Sequence, residues 1–205
     1  MRVAIIGGTG PFGKALAIRL RGEHDVVIGS RDAERAGAVA TELGVEGAAN
    51  AEAATTADLV VLATNADAAL ETARDLREAI GSTALLCVAS ELVFSATGVR
   101  PSPEATSLAE RIQAEIPAPV VAGLHSLAAS TLSSAEPPDE DTFVCGDDAE
   151  AKKLALGVAE GLVAGRAYDA GPLASARALE GLIAVAINMN KRYKGHAGIR
   201  ITGLG

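Results

Sequence analysis

Two short stretches hold residue types at spacings that can do chemistry. Gly8-Thr9-Gly10-Pro11-Phe12-Gly13 fits G-x-G-x-x-G, and Ser30-Arg31, with Arg35 four residues further on, follows at the end of the next apolar run. In a strand–turn–helix context each glycine has its own task. Gly8 permits the tight turn, Gly10 lets the backbone approach a pyrophosphate, and Gly13 lets the helix pack close. The anion then rests on free N–H groups at the positive end of the helix dipole. Pro11 lacks an N–H but is tolerated in the first helical turn. Further along, NAD-binding folds usually present a carboxylate to the ribose 2′-hydroxyl, and a carboxylate there would repel a 2′-phosphate. Ser30 instead offers a hydroxyl, and Arg31 offers charge-assisted, bidentate bonds to a phosphate. Arg35 can point to the same side. The pair therefore points to NADP rather than NAD, with a solvated basic edge as the alternative. Asp32 reads as a helix N-cap, which places Arg35 at the third helical position.

The histidines offer less. His125 ends the apolar run VVAGLH, where α/β sheets place ligand residues. It can hydrogen-bond an acceptor carbonyl or ring nitrogen, or simply bond to backbone. His24 falls in a turn and His196 in the C-terminal tail. No Tyr-x-x-x-Lys pair and no His/Cys/Asp cluster suggests a proton donor or a metal.

The elements that must position these groups alternate from the first residues. Strands are expected at 3–6, 26–28, 59–63 and 84–88, and helices at 12–21, 33–43, 52–55 and 68–80. Residues 94–102 and 130–141 read as loops, the latter on the surface. Further strands are expected at 120–124, 142–146 and 166–169, and helices at 107–115, 149–163 and 172–193. Short connections with crossover helices predict an α/β fold, a doubly wound, Rossmann-type, mostly parallel sheet with a small helical C-terminal part. Residues 1–125 form the expected nucleotide-binding domain, and 126–205 a smaller part on the substrate side. The last helix carries Leu179, Leu182, Ile183, Ala186 and Ile187 at helical spacing. That face either packs two copies into a homodimer or caps the monomer's own core.

Composition narrows the partners. A net charge of −8 and an aromatic content of 2% disfavour nucleic acid and anionic membranes. No apolar run approaches the roughly 20 residues that span a bilayer. The chain opens on a strand without a leader, and its two distant cysteines fit free buried thiols, so the cytoplasm is the expected location.

The stretches MRVAIIGGTGPFGKALAIRL and VVIGSRDAER, then VVAGLHSLAAS, FVCGDDAEAKKLA, YDAGPLASARALEGL and GIRITGLG, resemble the F420-dependent NADP reductases. The resemblance covers almost the whole chain. It implies hydride transfer between NADP(H) and the deazaflavin coenzyme F420, both small-molecule partners. It puts Thr9, Gly10, Pro11 and Phe12 on the phosphates and Ser30, Arg31 and Arg35 around the 2′-phosphate. Ala66 and Leu70 would line the nucleotide, Leu92, Ala129 and Ala197 would approach the nicotinamide, and His125 would lie near the deazaflavin. The chain departs from the family pattern at Asn65-Ala66, at Ser90-Glu91-Leu92 and over 94–102. Lys191, Arg192, Lys194 and Arg200 form a basic group that either attracts the coenzyme's anionic tail or complements a helix dipole. Hydride transfer between bound heterocycles needs positioning and exclusion of water rather than a nucleophile. Two other functions fit the nucleotide motif: an NADP-dependent reductase of another small acceptor, and a non-catalytic NADP-binding protein.

Overall fold

A computed structural model describes residues 1–204. The strands are β1 (Arg2–Ile6), β2 (Asp25–Ser30), β3 (Glu46–Ala49), β4 (Leu59–Leu62), β5 (Ala84–Cys87), β6 (Leu92–Ser95), β7 (Gly98–Pro101), β8 (Val120–Gly123), β9 (Thr142–Gly146) and β10 (Ala167–Asp169). Eight of them form one sheet in the order β10-β9-β8-β5-β4-β1-β2-β3. Every pairing in it is parallel except β8 with β9. Sequence order reverses at β1, which lies between β2 and β4, so the crevice at the carboxyl ends opens beside the glycine loop.

The helices are α1 (Pro11–Leu20), α2 (Ala33–Leu43), α3 (Asn50–Thr55), α4 (Ala66–Asp75), α5 (Arg77–Ile80), α6 (Leu108–Glu115), α7 (Ala129–Leu132), α8 (Ala149–Glu160) and α9 (Ala176–Tyr193). They cover both faces of the sheet, which is why the central strands are apolar at every position. Val3 and Ile5 of β1 pack with Leu16, Leu20, Val39 and Val158 on one face. Ala4 and Ile6 pack with Ala69, Ala73, Leu108 and Ile112 on the other. Cys87 and Cys145 are free and buried in this second layer, and burial pushes both thiols up to about 12.

Four segments differ from the sequence reading. Strand β3 was not expected, because Glu-Gly-Ala-Ala has no β-branched residue. It forms where Gly47 lets α2 close in: a Cβ there would sit 2.6 Å from the Ala36 carbonyl oxygen. The helix expected over 68–80 breaks at the buried Leu76 into α4 and α5. The loop expected over 94–102 is mostly the hairpin β6–β7. Asn188 of α9 pins it, accepting from the Val99 N–H and donating to its carbonyl, both at 2.8 Å. Finally, 130–141 is not wholly a surface loop, since it starts within α7 and ends in the buried Glu140 and Asp141.

Helix α9 presents three faces. Ala176, Glu180 and Ala184 face inward, while Ile183, Ala186, Ile187 and Asn190 line a cavity. Leu182, Val185, Met189 and Tyr193 are 39%, 54%, 46% and 74% exposed along the outer side. Leu182, 39% exposed, lies at the border of these faces, since it also lines a small hollow with Ile183, Leu179 and His125.

Candidate functional site

The glycine loop leaves β1 through Gly7, whose φ of +83° is the left-handed conformation the turn needs. That conformation falls one residue before the position read from the motif. Gly8 is restricted by crowding: a Cβ there would lie 2.6 Å from Cγ2 of Ile28. Its N–H donates to the carbonyls of Ile5 (3.1 Å) and Gly29 (3.2 Å), tying the loop to the end of β2. A Cβ on Gly13 would lie 2.5 Å from the Gly8 Cα, so α1 sits directly against the loop. Gly10 differs. It is the N-cap of α1 without a side-chain cap, and its added Cβ would meet only the Gly7 carbonyl oxygen, at 3.3 Å. The first-turn N–H groups of α1 have no intrahelical partners. The loop's backbone is thereby open to a ligand at one place and closed by packing elsewhere.

Thr9, Gly10, Ser30, Arg31 and Arg35 together line a cleft of about 230 Å³. Ser30 accepts the Asp32 N–H at 3.2 Å, which leaves its hydroxyl hydrogen free to donate. Asp32 caps α2 by accepting the Arg35 N–H at 3.1 Å, as the sequence reading expected. Arg31 and Arg35 are exposed and make no ion pair among the described residues. Two further residues complete the cleft. Asn50 and Thr64 each bury a side-chain oxygen without a partner among the described residues. Asn50 opens α3 directly after the unexpected β3, so no sequence signal marked it. Pro11 faces a separate groove that it shares with Ala129, and Phe12 packs against the core.

At the other end, β8 stops at Gly123 and the chain turns through Leu124, a non-glycine residue with φ +63°. A left-handed leucine is strained, and here the strain sets the direction of the next side chain. His125 is 8% exposed, and its Nδ1 lies 3.0 Å from the Ser90 Oγ. Its Nε2 is buried without a partner. Burial pushes the imidazole down to about 4, against a hydrogen bond with the Val88 backbone, so the ring is neutral near pH 7.

His125 lines a cavity of about 520 Å³ with Ser126, Thr131, Ile183, Asn190, His196 and Ala197. The C-terminal tail forms one wall and is anchored by Asp141. Oδ2 of Asp141 accepts the Ile201 N–H at 2.7 Å, Oδ1 accepts the Arg166 N–H at 2.8 Å, and the Asp141 N–H donates to the Ile199 carbonyl at 2.7 Å. Burial would raise this carboxyl, but those bonds and the Arg200 cation hold it below its ordinary value. Arg200 is paired with Asp139 and Asp141, so it stands apart from Lys191, Arg192 and Lys194, which mark the exposed end of α9. Glu136, Asp139 and Glu140 also line the cavity, and burial raises Glu140 against a backbone bond from Ile199.

A third hollow, about 380 Å³, lies between these sites and is lined by Asn65, Ala66, Ser90, Leu92 and Phe94. Leu70 is half-buried on α4, against the core. Asn65 also borders the nucleotide cleft, and Ser90 touches His125, so the three spaces follow one edge of the sheet. The groups follow β2, β1, β4, β5 and β8, which are neighbours in that order. At about 4.8 Å per strand this edge runs roughly 19 Å, a span that suits an extended dinucleotide.

The model of the family described as "NADP oxidoreductase coenzyme F420-dependent" matches residues 2–90. An F420-dependent NADP reductase of Methanocaldococcus jannaschii is 33% identical, covering 100% of this chain and 99% of that one. One from Methanothermobacter thermautotrophicus is 35% identical, covering 100% and 96%. The chain belongs to the F420-dependent NADP reductase family. A crystal structure from Arthrobacter sp. FB24, named as a candidate reductase of this type, superimposes with a TM-score of 0.87 at 30% identity, covering 99% of this chain and 100% of that one.

For this member of the F420-dependent NADP reductases, sequence reasoning missed Gly7, Asn50, Thr64, Ser90 and Asp141. Gly7 left a signal, as the glycine before the motif, and Ser90 stood out only as a departure from the family pattern. The others are brought to the crevice by pairings and packing that no local pattern announces.

Proposed function

We propose that the chain transfers a hydride between NADPH and F420 along the carboxyl edge of its sheet. The observation that carries this is one sheet edge with, among the described residues, two guanidiniums free of ion pairs at one end and an unpartnered nitrogen of a neutral imidazole at the other. When bound, NADPH supplies the hydride and F420 the ring that accepts it. Residues 1–125 hold the nucleotide, and 126–205 supply most of the acceptor side.

Arg31 and Arg35 bind the 2′-phosphate, with the Ser30 hydroxyl donating beside them. Thr9, Gly10 and the first turn of α1 receive the pyrophosphate, with Gly8, Pro11, Phe12 and Gly13 shaping that turn. Ala66 and Leu92 guide the nicotinamide half and Ala197 lies beside the acceptor, whereas Leu70 packs against the core and Ala129 lines the separate groove at Pro11. His125 faces the acceptor's polar edge, where charge builds as hydride arrives. A neutral imidazole is suited to hydrogen bonding there and poorly suited to delivering a proton, which favours a deazaflavin over an imine. Ile183, Ala186 and Ile187 exclude water.

The exposed stripe Leu182, Val185, Met189 and Tyr193, beside Phe94 at 69% exposure, supports a homodimer formed through α9. Val185→Glu should then yield a monomer by light scattering. No helix among the described residues is long and apolar enough to cross a membrane, and two free thiols support a cytoplasmic location.

The deciding experiment mixes the purified protein with NADPH and F420 and follows the oxidised deazaflavin absorbance. Loss of absorbance is expected. Tight NADPH binding without turnover would overturn the proposal.

A further inference from the structure

The loop after β5 is held more firmly than its place between two cavities requires. The Val88 N–H donates to the Leu62 carbonyl at 3.3 Å. The Glu91 carbonyl accepts the Ser102 N–H at 3.0 Å, and the Glu91 carboxylate pairs with Arg111 at 2.7 Å. Ser90 lies between these anchors, and its Oγ has no partner among the described residues except Nδ1 of His125, 3.0 Å away. His125 is fixed from its own side by the left-handed Leu124 and by the Ser126 hydroxyl, which donates to the Asp141 carbonyl at 3.3 Å. Serine and imidazole are therefore each set by the backbone before they meet.

A neutral imidazole carries one proton, and the partner of one nitrogen decides what the other can do. Nε2 has no partner among the described residues, so the side-chain bond that can choose the tautomer falls on Nδ1. The Ser90 hydroxyl can accept from a protonated Nδ1 and leave Nε2 bare, or donate to Nδ1 and leave the proton on Nε2. Only the second arrangement leaves a hydrogen-bond donor on Nε2, the buried nitrogen of a ring that lines the cavity.

We propose that Ser90 is a positioning residue that donates to Nδ1 of His125, holds the ring as the Nε2–H tautomer and so aims a donor at the acceptor's developing charge. This rests on the hydride-transfer reading for its consequence, but not for its geometry.

The test is ¹⁵N NMR of His125 in the full-length protein without coenzymes, paired with steady-state kinetics. Wild type should carry its proton on Nε2. Ser90→Ala should lose that preference and divide the proton between Nδ1 and Nε2, and Ser90→Thr should return it to Nε2. In turnover, Ser90→Ala should lose about 10-fold in kcat, the worth of one hydrogen bond, with the KM for NADPH unchanged. Ser90→Thr should recover most of the loss. A wild-type proton on Nδ1, an unchanged tautomer in Ser90→Ala, or equal losses in the two variants would each overturn the proposal. If the wild type binds NADPH but does not reduce F420, the functional reading fails, while the NMR comparison still decides the role of Ser90.

Discussion

The nucleotide cleft draws its walls from residues 7–10, 30–35, 50 and 63–72, mostly within a few positions of a strand's carboxyl end. The acceptor cavity draws on 125–140, 183–190 and 196–198, and its histidine is oriented by Ser90. The first is made by turns whose geometry is local. The second is made by distant segments pinned to one another by Asp141, Asn188 and Asn190. The two cations at the first end, Arg31 and Arg35, are exposed and without an ion pair among the described residues, whereas at the second end burial pushes His125 down and Glu140 up. Local turns suffice to recognise a phosphate, which brings its own charge. Orienting a ring without fixed charge requires a cavity, and a cavity requires long-range closure.

Gly8→Val should break the first end most severely. Its side chain would overlap Ile28 and the Ile5 carbonyl, and denaturant unfolding should show a loss of at least about 3 kcal/mol. Gly10→Ala in the same loop should keep its stability and lose NADPH affinity, because its Cβ meets only one atom of the protein.

Two buried groups should dominate the pH dependence of stability, His125 at the second end and Glu180 on the inward face of α9. Burial depresses His125 from 6.5 to about 4, so protons that only the unfolded chain takes up destabilise the protein as pH falls from 6.5 to 4. Burial raises Glu180 from 4.5 to about 7, against a bond from the Leu108 N–H, so stability falls as pH rises from 4.5 to 7. Relative to wild type, Glu180→Gln should gain with rising pH and His125→Asn with falling pH, each by up to about 3 kcal/mol. Parallel stability curves for the two variants would contradict the burial assigned to these groups.

Arg31→Asp sharpens the contrast at the level of binding. It should raise the KM for NADPH about 100-fold and change that for NADH much less, since only the former carries the 2′-phosphate. Equal losses would refute the assigned role. The smallest effect is expected for Asp141→Asn, which keeps the side chain's shape and loses its charge. It should loosen the tail and raise the KM for F420 roughly 10-fold, as loss of one charge-assisted bond implies, while NADPH titrations stay unchanged.

The same division explains what the sequence made legible. Helix α2 was read to its last residue because both ends carry strong signals, the Asp32 cap and Gly44 with φ +66°. Strand β9 was likewise evident from its apolar run. Strand β3 and the β6–β7 hairpin were not, because their stability comes from Gly47 against α2 and from Asn188 on α9 rather than from their own residues. His125 was picked out by its place at a strand end. Ser90, which touches it, was noticed only as a departure from the family pattern, since 35 residues separate the two. Arg200 was grouped with its chain neighbours by charge, and its burden is instead carried by Asp139 and Asp141.

The anchoring of the tail by Asp141 has a consequence for how the protein is made. Synthesis is vectorial, and N-terminal units form first as the chain emerges at about 5–20 residues per second. The glycine loop, the arginines and the strands beneath them are on hand well before the tail leaves the ribosome. Until Ile199 and Ile201 reach Asp141, the cavity lacks the wall that His196, Ala197 and Gly198 supply. The segment around Ile199 therefore closes its cavity after the strands of the glycine loop are already in place.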